Sequence, residues 1–110
     1  MATTYCMILT TASSQDQADR LANILVSNGL AACVQISAIT STYRWQGSLH
    51  TEPEWLLRIK TTTDLYSQVE ETLLEQHSYE TPEIICIPFE QGSAPYLAWI
   101  NDNTWGSQES

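Results

Sequence analysis

The sequence predicts an α+β domain, a single sheet with helices packed against one face. Three observations carry this. Ala18, Leu21, Ala22 and Leu25 recur at helical spacing, as do Leu65, Val69 and Leu73. Leu30–Trp45 and Glu54–Thr61 carry strand-like patterns on either side of a Gln46-Gly47 turn. Ile84, Ile85, Cys86 and Ile87 form a short apolar run between Pro82 and Pro88, read as a central strand buried on both faces. The order is strand, helix, strand, strand, helix, strand, with one more helix after it. Two split βαβ units in that order build a ferredoxin-like sandwich. Residues 1–110 are expected to form one such domain, with a loose polar tail from Gly106 to Ser110.

The elements follow in turn. Tyr5–Thr11 reads as the first strand. Ser14 and Gln17 have capping-box spacing, and Asp16 suits the positive end of a helix dipole. Gly29 can take the left-handed conformation that ends this helix after Asn28. In the next strand Val34 and Ile36 share one face, whereas Ile39, Tyr43 and Trp45 share the other. That change of phase predicts a bulge near Ser37-Ala38. In the third strand Trp55, Leu57 and Ile59 point one way, and Glu54, Leu56, Arg58 and Lys60 the other. The two strands make a long hairpin that outreaches the rest of the sheet. Thr62 or Thr63 is expected to cap the second helix, with Tyr66 joining its buried stripe. That helix ends near His77, because Pro82 disfavours helical geometry at Thr81. Ala94–Asn103, bearing Tyr96, Leu97, Trp99 and Ile100, reads as the last helix.

Composition narrows the function. Thirteen acidic residues against four Lys and Arg leave a net charge of −9, which repels phosphate backbones and argues against nucleic acid. No apolar run reaches the ~20 residues of a membrane span. The first ten residues lack a basic leader and read as a strand, so the expected compartment is the cytosol. Cys6, Cys33 and Cys86 are odd in number and lie in apolar contexts, so they are expected to be buried free thiols. Tyr43, Trp45 and Trp55 give more aromatic surface than a small monomer easily hides, which points to self-association.

The residues capable of chemistry gather at His77, Tyr79, Glu80 and Glu83, between the second helix and the last strand. A histidine at a helix end serves most simply as a dipole-favoured cap. As a metal ligand His77 needs partners, which Glu80, Glu83 or a neighbouring subunit could supply. His50 reads as a solvated loop residue. Arg58 and Lys60 share a face with Glu54, giving either a salt-bridged ladder or a mixed-charge cleft with His77, Tyr79 and Glu80. The chain has no nucleophile elbow, phosphate loop or dinucleotide fingerprint.

The segments L-A-A-C-V at 30–34, Y-R-W-Q-G at 43–47, E-W-L-L-R-I-K-T at 54–61, H-S-Y-E-T-P-E-I-I at 77–85 and Y-L-A-W-I at 96–100 carry a resemblance. In order and spacing, from Tyr5 to Asn103, they resemble the CutA, or divalent-cation tolerance, family. The resemblance implies a ferredoxin-like fold, a tight homotrimer, a shape akin to PII signalling proteins, and a link to tolerance of divalent metals including copper. The family's H-P-Y-E/D motif falls on His77, Ser78, Tyr79 and Glu80. Its Y-x-W-x-G-K motif falls on Tyr43, Trp45, Gly47 and Ser48, and its E…K pair on Glu54 and Lys60. Some bacterial members bind copper through the histidine and a cysteine near the end of the first strand, where this chain has Thr10. Any metal here would therefore be held by nitrogen and oxygen.

The expected function is thus a cytosolic trimeric protein that binds copper(II) or another divalent metal, with His77 and Glu80 as ligands and no assigned reaction. Tyr43, Trp45, Glu54, Lys60, Tyr79 and Glu83 are expected around a cleft between subunits. Two alternatives stand beside it. One is an enzyme with His77 as acid–base and Lys60 or Tyr79 stabilising an anion. The other is a PII-like module that binds a small ligand or a protein partner.

Overall fold

A computed structural model describes residues 3–106. Its elements are β1 (Tyr5–Ala12), α1 (Gln15–Ser27), β2 (Cys33–Trp45), β3 (Ser48–Thr62), α2 (Tyr66–Gln76), β4 (Ile85–Pro88) and α3 (Ala94–Asp102). The four strands form one antiparallel sheet in the order β2-β3-β1-β4. This is the α+β sandwich that the element order predicts. Helices α1 and α2 cover one face. Ile8, Leu57 and Ile59 from the sheet meet Leu21, Leu25, Val69 and Leu73 from the helices, all fully buried. Each such side chain contributes roughly 1.5–3 kcal/mol by leaving water. Helix α1 begins as its sequence dictates, with Ser14 Oγ accepting from the Gln17 N–H at 3.1 Å. It ends at Asn28, followed by Gly29 at φ +70°.

The β2–β3 hairpin departs from expectation in two ways. Its register runs unbroken from Cys33↔Lys60 to Trp45↔Ser48, so there is no bulge at Ser37-Ala38. The apolar pattern changes face for another reason. Val34 and Ile36 pack on the helix-covered core, whereas Ile39, Tyr43 and Trp45 alternate onto the opposite face. The hairpin closes through Gln46 (φ 50°) and Gly47 (φ 81°), the two positive φ values of a type I′ turn. Strand β3 also starts at Ser48 instead of Glu54 and runs through Pro53. Residues 48–54 lie beyond Ala12↔Trp55, the last pair with β1, so one edge of β3 is free there. A proline is tolerated at such an edge.

Four further expectations are corrected. Strand β4 is an edge strand and not a central one: only Ile84 and Cys86 pack on the core, while Ile85 and Ile87 are 46% and 41% exposed. No side chain caps the second helix; a short 3-10 turn, Thr63–Leu65, leads into it, and the Thr63 N–H donates to the Thr4 carbonyl at 3.0 Å. Of the thiols only Cys6 is buried, with Cys33 and Cys86 half-buried. Burial and the neighbouring Cys86 push the Cys6 thiol up to about 12. Trp55 packs against the core on the face opposite Tyr43 and Trp45, so it adds nothing to their aromatic surface.

The expected loose tail is tied at its start. The N–H groups of Trp105 and Gly106 both donate to the Gly29 carbonyl, at 2.9 and 3.0 Å, and Gly106 is buried. Residues 107–110 lie outside the described residues. On the face of the sheet away from α1 and α2, Met7, Leu9, Ile39, Leu56, Ile85 and Ile87 stand among Glu54, Arg58 and Lys60. Helix α3 reaches β3 on this face, with Lys60 Nζ 5.8 Å from the Tyr96 ring centre.

Candidate functional site

The segment after α2 bends around the end of the sheet and joins its two faces. His77 caps α2 with its N–H on the Leu73 carbonyl at 2.9 Å, then leaves in extended geometry. Its ring reaches Thr10, a fully buried residue on the core side of β1, with Nε2 3.2 Å from Oγ1. Its Nδ1 accepts from the Tyr79 N–H at 3.1 Å. A nitrogen that accepts carries no proton, so the neutral ring is protonated at Nε2 and donates to Thr10 Oγ1. Burial lowers the His77 pKa, against the raising effects of a backbone hydrogen bond at Thr11 and the Glu54 charge. The His77 and Tyr79 rings stack at 5.1 Å.

Tyr79 carries this contact to the other face. Its hydroxyl donates to Glu54 Oε2 at 2.6 Å. Burial works to raise the Glu54 carboxyl, but hydrogen bonds from Tyr79, Ser41 and Thr11 prevail and hold it below its ordinary value. Burial and the Glu54 carboxylate together raise the Tyr79 phenol far above the usual tyrosine range. At neutral pH the pair is therefore an ionised carboxylate and an intact phenol.

Glu54 and Tyr79 form the inner end of a cleft of about 590 Å³. Its walls are Thr11, Ser41, Thr42, Tyr43, Trp45, Glu54, Tyr79, Glu80, Thr81 and Glu83. They supply three carboxylates, three aromatic rings and the hydroxyls of Thr11, Ser41, Thr42 and Thr81, with no Lys, Arg or His. Six residues singled out in the sequence meet here: Tyr43, Trp45, Glu54, Tyr79, Glu80 and Glu83. Two do not. His77 stands behind Tyr79 and off the walls, both ring nitrogens engaged. Lys60 lies six residues along β3 from Glu54, about 20 Å away at strand rise, beside Tyr96.

The expected ladder of Glu54, Arg58 and Lys60 is absent as well: Glu54 bonds Tyr79, and Arg58 donates to Ser37 Oγ at 3.2 Å. His50 is not a loop residue but part of β3, stacked on Tyr43 at 5.6 Å with Glu52 3.7 Å away. Among the described residues no three His, Cys, Asp or Glu side chains converge closely enough to hold a metal ion. His77 and Glu80 thus form no ready ligand set within one chain. Sequence reading missed Thr11, Ser41, Thr42 and Thr81. Ser41 was within reach, because it shares strand parity with Tyr43.

A ferredoxin-like sandwich with a long projecting hairpin and a polar cleft at the hairpin's base defines the class of this protein. Residues 6–103 match the family described as CutA1 divalent ion tolerance protein, and the chain belongs to that family. It is 40% identical over 99 residues to the divalent-cation tolerance protein CutA of Thermus thermophilus, covering 89% of the chain and 96% of that relative. Identity to Protein CutA 1, chloroplastic, of Oryza sativa is 36%, over 89% of the chain but only 56% of that longer protein. Among solved structures, CutA1 from Oryza sativa superposes with a TM-score of 0.90 at 35% identity, covering 94% of this chain and 96% of that one. The Thermus thermophilus protein gives 0.87 at 39%, covering 92% and 99%.

Proposed function

We propose that the chain serves divalent-cation tolerance by binding the cation at the cleft between the hairpin and the segment after α2. The observation that carries this reading is the wall composition: Glu54, Glu80 and Glu83 with no cationic side chain, and Glu54 held ionised. The donors on offer are oxygens, which suit divalent ions such as copper(II), zinc or manganese better than copper(I). Because one chain brings no three ligands together, water or a neighbouring subunit completes the coordination. The assembly is a homotrimer. Supporting it are the unpaired outer edge of β2, the exposed Ile85 and Ile87 on β4, and the exposed Tyr43, Trp45 and Leu49 on the hairpin. Three unpaired cysteines fit a reducing compartment such as the cytosol.

The test is calorimetric titration of wild type, Glu54→Gln, Glu80→Gln and His77→Gln with copper(II), zinc and manganese. Loss of the Glu54 charge should weaken binding about tenfold, the scale of one charged contact. His77→Gln should weaken it less than Glu54→Gln. Equal affinity in wild type and a Glu54→Gln/Glu80→Gln double variant would remove the cleft from the reading.

A further inference from the structure

Cys6 and Cys86 come from opposite ends of the chain and meet on the core side of the sheet, away from the cleft. In the β1–β4 ladder Cys6 stands opposite Pro88 and Cys86 opposite Ile8, so the two cysteines are diagonal neighbours on one face. That face is the one the helices cover: Cys6 and Ile8 are fully buried, and Cys86 packs against the same core. The two thiols are in hydrogen-bond contact with each other. Tyr66, the first residue of α2, lies within electrostatic reach of both. Both sulfurs belong to one chain and lie on the side of β4 opposite Ile85 and Ile87, so their meeting does not depend on how subunits assemble. Cys86 is half-buried on the edge strand and gives the way in to Cys6. Among the described residues no further His, Cys, Asp or Glu joins them to make a set of three.

We infer that Cys6 and Cys86 form a second metal site, a linear two-sulfur site for a soft ion of the copper(I) type. It is separate from the cleft and does not rest on the reading of that cleft. Thiolates select soft ions, and such an ion held in line between two sulfurs needs no third ligand, whereas zinc takes four. Two metal–sulfur bonds of about 2.3 Å set the sulfurs roughly 4.5 Å apart, within the reach of a diagonal pair. A disulfide fits the pair less well. It needs Cα atoms within about 6.8 Å, and diagonal partners lie about 7–8 Å apart. Burial and the neighbouring Cys86 keep Cys6 a thiol in the metal-free chain. On binding, each S–H gives its proton to solvent and two sulfur–metal bonds form, with no change in oxidation state. The ion's charge offsets one of the two thiolates, which lowers the cost of burying them.

Copper(I) is the probe, supplied without oxygen from a colorimetric copper(I) chelator to wild type, Cys6→Ser, Cys86→Ser and Cys33→Ser. Cys33 lies on the other face of the sheet, opposite Lys60, and serves as the control thiol. Wild type should withdraw one copper(I) per chain, and X-ray absorption of the loaded protein should show two sulfur neighbours. Loss of either ligand should weaken binding at least about a hundredfold, since even changes outside the ligand set cost roughly ten- to a hundredfold. Cys33→Ser should bind like wild type. Circular dichroism checks folding, and Cys86→Ser, at a half-buried position, keeps the test decisive if the buried Cys6→Ser does not fold. No uptake by wild type overturns the inference, as does uptake that Cys86→Ser leaves intact or that Cys33→Ser abolishes. A pair that copper converts to a disulfide, lighter by its thiol hydrogens in mass spectrometry, overturns it too. Glu54→Gln should leave copper(I) affinity unchanged, and Cys86→Ser should leave zinc affinity unchanged. Copper(I) binding weakened by Glu54→Gln would put the ion in the cleft and end the second site.

Discussion

His77 Nε2 and Thr10 Oγ1, 3.2 Å apart, tie the end of α2 to the core side of β1. The bond that Nδ1 accepts from the Tyr79 N–H needs a neutral ring, because a protonated Nδ1 has no lone pair to offer.

This sets a pH dependence. The folded pKa of His77 lies below 6.5, so on acidification the unfolded chain takes up the proton first. Stability from this group is complete above about pH 6.5 and declines as pH falls below it, until the folded state itself protonates. Imidazole titration by NMR should give His77 a midpoint below 6.5. Urea unfolding should show that His77→Gln removes part of the stability loss between neutral pH and that midpoint. A His77 midpoint above 6.5 would contradict the lowering by burial.

Tyr79→Phe tests the bond to Glu54. It deletes one donor from a carboxylate that keeps others, at a half-exposed site, so the expected cost is about 1 kcal/mol. With the Tyr79 donor gone, the Glu54 pKa should rise towards its unfolded value. Glu54 is depressed in the fold, so its stabilisation is present above the unfolded carboxyl pKa and lost as pH falls through the folded one. In Tyr79→Phe that acid-side loss should be smaller and should level off at higher pH, read by denaturant unfolding between pH 3 and 6 on the scale of ordinary carboxyls.

Gly29 and Trp105 should show strong coupling. At φ +70° an added Cβ is strained by about 1–2 kcal/mol, and it would also fall 2.2 Å from Trp105 Cε2. Gly29→Ala should therefore cost more in wild type than in a Trp105→Ala background, where only the backbone strain remains. A double-mutant cycle by chemical unfolding measures the difference. Additive costs would mean that the indole shifts aside freely.

Assembly is checked by light scattering on a sizing column. The expected species is three times 12.4 kDa. Ile87→Glu, which puts a charge on the exposed β4 face, should shift it towards smaller species if that face is a contact. A wild-type monomer at micromolar concentration would remove the homotrimer from the proposed function.

The helices and the hairpin were legible because their signals are local. Ser14 with Gln17 fixes where α1 starts, and Gln46-Gly47 supplies the two left-handed residues that the turn requires. What failed depended on neighbours. Ile84–Ile87 reads the same whether a strand is central or at an edge, because an apolar edge strand can be covered by another chain as well as by its own. The expected β3 begins at Glu54 where the strand itself begins at Ser48, since nothing local says where β1 stops pairing. In the site, Tyr43, Glu54, Tyr79, Glu80 and Glu83 stood out by residue type, and the cleft does bring them together. Lys60 stood out equally and lies at the far end of the strand, because residue type carries no depth along a strand. The pairing of His77 with Thr10 joins positions 67 apart in the chain and left no local trace.

Pro53 has one more consequence. In the two-residue hairpin Trp45↔Ser48 is a hydrogen-bonded pair, and alternation along the unbroken register makes Thr40↔Pro53 a non-bonded one. The nitrogen of Pro53 therefore faces away from β2, onto the free edge that residues 48–54 leave beyond β1. A stray strand that docked there would find no donor at the position where the ladder needs one. The chain leaves the outer edge of β2 unguarded by any proline and places one on the edge of β3, so sheet growth is permitted in one direction and stopped in the other. A proline so placed breaks the donor row on an edge that would otherwise invite another strand.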